Sequence, residues 1–183
     1  MPEIPDGATV LVLYGDVPLI RAETLKPAIT AGEKTLALVT ATAANPKGYG
    51  RILRDKKDAI VGIVEDNDAN ATQKKIAEIN TGFLAAPAKQ LRGWLDRIKN
   101  DNLKKEFYLT DIVAMAANDK LTVASVTASE AETLGVNDRA QLAQMERSYQ
   151  NRQAHELMQQ GLGLRDPARF DLRGTLKFGQ DCS

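Results

Sequence analysis

Apolar residues along this chain form short continuous runs and helical stripes, separated by polar clusters. Thr9–Leu13 is a continuous run ending in Tyr14-Gly15-Asp16, and Thr35–Thr42 is another. Runs of that length suit strands buried on both faces, as in a parallel sheet covered by helices. Glu23–Ala31 reads as a short helix, and Asn45-Pro46-Lys47-Gly48 as a turn. Arg51–Leu53 and Ile60–Val64 flank the polar Asp55–Asp58, which predicts a hairpin. Residues 66–75 are polar and suit a surface loop or a short solvated helix, followed by a strand over Ile79–Ala85. Leu91, Trp94, Leu95 and Ile98 stand at i, i+3, i+4 and i+7, so Lys89–Lys99 is an amphipathic helix. Ile112, Val113, Met115 and Ala116 predict a further helix capped by Thr110 or Asp111, and Leu121–Val126 is strand-like. From Asp138 to Gln160 there is neither proline nor glycine, and Leu142, Met145 and Tyr149 share a stripe. That is a long helix, stopped by Gly161 and Gly163, and Leu164–Ser183 is a separate tail. Strands alternating with helices point to an α/β fold with a mainly parallel sheet, whose ligands sit beyond the carboxyl ends of the strands.

Composition narrows the function classes. Lys and Arg number 24 against 24 Asp and Glu, so the basic excess of a nucleic-acid binder is missing. Cys182 is the single cysteine, which excludes an internal disulfide and a cysteine-based zinc site. His155 is the single histidine, and mechanisms that need a histidine dyad fall with it. No apolar run reaches the ~18 residues of a membrane span. The start, Met1-Pro2-Glu3-Ile4, lacks a signal-peptide pattern, and a cytoplasmic protein is expected.

Several residues could carry chemistry. Asp16, next to a glycine and just after a strand, could hold Mg²⁺ on phosphates or could be a turn acid. Gly48-Tyr49-Gly50-Arg51 offers open backbone beside a strand, or simply a tight turn. Glu65 ends a strand, where its carboxylate could accept sugar hydroxyls or remain solvated. The Asn80 amide suits a sugar or acetamido group, or a local bond to its own backbone. Asn137 could cap the long helix. There is no Gly-x-Ser-x-Gly elbow, no Gly-x-x-x-x-Gly-Lys and no Gly-x-Gly-x-x-Gly.

Taken in order, these pieces resemble one family. Leu13-Tyr14-Gly15-Asp16-Val17-Pro18-Leu19-Ile20, Gly48-Tyr49-Gly50-Arg51-Ile52, Ile63-Val64-Glu65, Glu78-Ile79-Asn80-Thr81-Gly82 and Gly135-Val136-Asn137 follow in succession. With Tyr108-Leu109-Thr110-Asp111 and Leu164-Arg165-Asp166-Pro167-Ala168-Arg169-Phe170-Asp171, the sequence resembles bacterial bifunctional N-acetylglucosamine-1-phosphate uridylyltransferase/glucosamine-1-phosphate N-acetyltransferase. The resemblance runs from about Val10 to Thr175.

It implies a Rossmann-like nucleotide-diphospho-sugar transferase sheet over residues 1–137, a connector helix over 138–161 and the start of a left-handed parallel β-helix over 162–183. It implies Mg²⁺ as cofactor, held by Asp16 and Asn137, with Asp16 catalytic. Tyr14, Gly15, Asp16, Gly50, Glu65, Asn80 and Asn137 would line the substrate site, Glu65 and Asn80 near the sugar. The implied partners are UTP, N-acetylglucosamine 1-phosphate and UDP-N-acetylglucosamine, with no nucleic acid or membrane and with trimers formed through the β-helix. The family's Gly-rich nucleotide loop lies ahead of the strand before Asp16, so this sequence is expected to be the middle of a larger enzyme. Uridylyl transfer is expected to be weak or absent in this stretch alone. The alternatives are a noncatalytic sugar-nucleotide-binding or oligomerising fragment, or a related sugar-phosphate nucleotidyltransferase.

Overall fold

A computed structural model describes residues 3–102 and 104–182; the outermost ends of the expected first and last segments, Met1-Pro2 and Ser183, lie outside the described residues. The chain divides into two compact units, Met1–Leu134 and Gly135–Ser183. The first holds β1 (Thr9–Val12), α1 (Ala22–Gly32), β2 (Ala37–Thr42), β3 (Arg51–Arg54), β4 (Ile60–Val64), β5 (Glu78–Pro87), α2 (Ala88–Leu95), α3 (Asp111–Asn118) and β6 (Ala124–Ala128). The second holds α4 (Arg139–Gln159) and the tail. Each predicted strand and helix forms, with ends shifted by a few residues. The polar stretch before β5 contributes one short 3₁₀ turn, Gln73–Lys75.

The first unit is a six-stranded sheet in the order β4-β3-β5-β2-β6, with β1 also on β5. The expectation of a mainly parallel sheet is corrected here: β1, β2 and β3 all pair antiparallel to β5, and β3 to β4. Among the described strands only the β2–β6 pair is bonded in parallel. β2 and β3 run the same way on either side of β5, the β3–β4 hairpin reverses the chain, and β5 keeps the direction of β4 and inserts between β2 and β3. The helical passage through α2 and α3 then delivers β6 parallel to β2.

β5 sorts the core through its period of two. Leu84 and Ala86 join Leu38, Ile52, Trp94 and Ile112 in one apolar cluster. Phe83, on the opposite face, packs with Val17, Ala28, Val39 and Ala128. Trp94 is buried by α2's amphipathic stripe, and its indole N–H donates to Asp119 Oδ2 at 3.0 Å. β1, expected to be buried on both faces, is half-buried throughout because it pairs with β5 alone.

In the second unit the Asp138 carboxylate caps α4 by accepting the Gln141 N–H at 2.7 Å. Of the predicted stripe, Met145 is buried while Leu142 and Tyr149 stay exposed. The tail lies along the helix: the Arg147 guanidinium donates to the Ala168 and Phe170 carbonyls, and the Leu172 N–H donates to Gln150 Oε1. One parallel bridge, Leu162 to Cys182, joins the two ends of the tail.

Candidate functional site

One edge of the sheet gathers most of the residues singled out from the sequence. Arg51 faces Val64 on β4 and Ile79 on β5. The next positions outward are therefore Gly50, Glu65 and Asn80. Gly50 is buried, and a Cβ built on it would lie 3.4 Å from both carboxylate oxygens of Glu65 and 2.9 Å from Ile63 Cγ2. Its bare backbone lets the carboxylate come close. The Gly50 carbonyl accepts the Asn80 N–H at 2.8 Å. Thr110, directly before α3, was expected as a helix cap. It does hold the N-cap position, but its hydroxyl donates to Glu65 Oε1 at 2.9 Å rather than accepting a helix N–H. Among the described residues Glu65 Oε2 has no hydrogen-bond partner.

Asn80 continues the line towards β1. Its Oδ1 accepts the Gly82 N–H at 3.1 Å, the local bond that the sequence left as an alternative. Its NH₂ group has no partner among the described residues. Gly82 has φ +82°, a left-handed conformation that favours glycine, and a Cβ there would fall 2.0 Å from the Tyr14 ring. Tyr14 therefore lies flat against the β5 backbone, tilted on Phe83 with ring centroids 6.2 Å apart and half exposed to solvent. Glu65, Gly50, Asn80, Gly82 and Tyr14 thus form one continuous surface with a carboxylate, an amide and an aromatic ring.

Gly15 and Asp16 follow in an exposed turn beyond β1. No hydrogen bond or ion pair engages the Asp16 carboxylate among the described residues. Asn137 lies in the second unit; its backbone N–H donates to Gln141 Oε1 at 2.6 Å, and its exposed side chain takes no part in the cap, which belongs to Asp138. Among the described residues no group of three or more His, Cys, Asp or Glu is arranged around a metal. Taken separately, the Asp16 carboxylate and the Asn137 amide oxygen are each of the oxygen type that Mg²⁺ accepts, an ion that completes its shell with water and phosphate. His155 is exposed on α4 beside Gln159.

The edge is rich in acids. Burial, then the charge of Asp68, pushes the Asp111 carboxyl above its usual range. Burial also raises the Tyr108 phenol, helped by Asp68, Glu106, Glu65 and Asp111. Asp66 goes the other way: the Gly48 N–H and the Arg51 guanidinium hold its carboxyl below the usual range. Thr110 and Arg51 are contributors that the sequence alone did not reveal. Their one signal was adjacency to quoted motifs, Thr110 within Tyr108–Asp111 and Arg51 after Gly50.

Fold and edge together define an α/β sheet domain with a polar, aromatic-backed candidate site at its strand ends. The comparisons with known proteins give the family. The chain is 51% identical over 183 residues to bifunctional protein GlmU of Alkalilimnicola ehrlichii, covering 100% of this chain. It is 53% identical over 174 residues to the GlmU of Azotobacter vinelandii and 49% identical over 183 to that of Idiomarina loihiensis, covering 94% and 99% of this chain. The chain belongs to the GlmU family over the stretch it spans, which is 38–40% of the length of these relatives. No protein-family model matches it. A crystal structure assigned as a glucose-1-phosphate thymidylyltransferase of Bacillus anthracis overlays on 55% of this chain and 37% of its own at TM-score 0.40 and 14% identity, a likeness too loose to argue from.

Proposed function

We propose that the first unit carries the sugar-binding face of an N-acetylglucosamine-1-phosphate uridylyltransferase. The observation that carries this reading is the unspent Asn80 NH₂ beside a Glu65 carboxylate with one open oxygen, backed by Gly50 and Tyr14. An amide donor beside a carboxylate acceptor matches an acetamido carbonyl and sugar hydroxyls. The acids around Glu65 repel phosphate, so this end of the surface suits the neutral sugar. The phosphates then belong towards Gly15 and Asp16.

In the full reaction a phosphate oxygen of N-acetylglucosamine 1-phosphate attacks the α-phosphorus of UTP, and pyrophosphate leaves. Asp16 and Asn137 would each offer an oxygen to Mg²⁺. When bound, that ion would offset the charge developing on the phosphates. On the same reading α4 is a connector and the tail begins a left-handed parallel β-helix through which trimers form. The parallel bridge from Leu162 to Cys182 supports this.

Titration calorimetry of the chain with UDP-N-acetylglucosamine, UDP-glucose and UDP tests the reading. The acetamido sugar should bind about tenfold tighter than UDP-glucose, the worth of one well-made hydrogen bond. Equal affinities for all three would overturn it.

A further inference from the structure

Arg51, the first residue of β3, is 2% exposed, and its guanidinium works between two loops. One terminal nitrogen donates to the Tyr49 carbonyl, in the turn that carries Gly48 and Gly50. The other donates to Asp66 Oδ1 at 2.9 Å, in the loop directly after Glu65. Within the turn the Tyr49 N–H donates to the Pro46 carbonyl at 3.2 Å, and Arg51 ties that turn to Asp66. The Arg51 Nε is buried without a partner among the described residues.

This arrangement is a poor source of stability. A buried ion pair loses to desolvation much of what it gains by attraction, and an orphaned donor adds to the cost. What it does supply is a fixed spacing between the turn and the loop. The β-ladder alone does not hold that spacing, because its last pair is Arg51 with Val64, and Gly50 and Glu65 lie one residue beyond it.

We propose that the Arg51–Asp66 pair is a positioning device that fastens the Asn45–Gly50 turn to the loop after β4, holding the Gly50 backbone and the Glu65 carboxylate in register for the sugar. The inference rests on the sugar-site reading above, but the fastening has its own readout. Amide hydrogen exchange and nucleotide binding are measured on the full chain for Asp66→Ala and for the double variant Arg51→Met/Asp66→Leu. The double variant replaces the pair by apolar groups, so it folds even where a lone buried arginine prevents folding.

In both variants the Tyr49 amide, bonded to the Pro46 carbonyl within the turn, should exchange at least tenfold faster while β2 and β6 amides keep the parent rates. Affinity for UDP-N-acetylglucosamine should fall about tenfold with affinity for UDP unchanged. The double variant should melt at or above the parent temperature. Unchanged Tyr49 exchange, or an unchanged preference for UDP-N-acetylglucosamine over UDP in the double variant, would overturn the proposal. A parent chain with no such preference would remove the sugar-site reading, and with it the register for the sugar, while Tyr49 exchange still decides the fastening.

Discussion

The side-chain oxygen of Asn80 is occupied by the Gly82 N–H, which leaves the NH₂ group to meet a ligand. The two halves of the amide can be separated by substitution. Asn80→Asp keeps the acceptor and loses the donor; Asn80→Ala loses both. Asn80→Asp should melt close to the parent and bind UDP-N-acetylglucosamine about tenfold more weakly. Asn80→Ala should show the same binding loss and also melt about 2–4 °C lower, the shift expected for roughly 1 kcal/mol in a chain of this size. Parent-like affinity in Asn80→Asp would rule out the donor role. The sequence offered the local bond and the ligand bond as alternatives, whereas one amide has room for both. The link from Thr110 to Glu65 was not legible at all. These residues are far apart in sequence and meet only because α3 packs against β4.

At the level of elements, the sheet is tied by a polar cross-brace as well as by its ladders. Arg54 on β3 donates two hydrogen bonds at 2.8 Å to the Glu78 carboxylate on β5. The Arg54 hydrogen bonds, opposed by burial and aided by the Thr40 hydroxyl on β2, hold the Glu78 carboxyl below its ordinary value. A carboxyl depressed in the folded state stabilises the fold above its unfolded pKa, about 4.3 for glutamate, and loses that effect as pH falls through the folded value. Glu78→Gln should therefore cost about 1 kcal/mol at neutral pH, a figure kept small because the pair is partly exposed. The gap between parent and variant should close below about pH 4. Urea melts at several pH values check this, and a gap that stays constant with pH would refute it. The elements were legible from hydrophobic period, but strand direction was not. Alternation of strands and helices suits parallel and mixed sheets alike, and the insertion of β5 between β2 and β3, against the direction of both, is set by tertiary pairing that the alternation does not encode.

Across the whole molecule the two units differ in what they bury. Among the described residues the first has three apolar clusters, while in the second α4 buries only Met145, Gln150 and Ala154. Trp94, the single tryptophan, is buried in the first unit, and the longest helix lies in the second. Tryptophan fluorescence and far-ultraviolet circular dichroism should therefore give different urea midpoints, with the helical signal lost first. Coincident transitions would show one cooperative structure instead. The pairing of β1 with the far end of β5 also has a consequence during synthesis. Thr9–Val12 leaves the ribosome roughly 75 residues ahead of its partner, Leu84–Pro87. At roughly 5–20 residues per second, the apolar strand waits several seconds before this partner is made. Over that interval β1 cannot take up its place on β5, so the edge it completes is the last part of that pairing to be fixed by the order of synthesis.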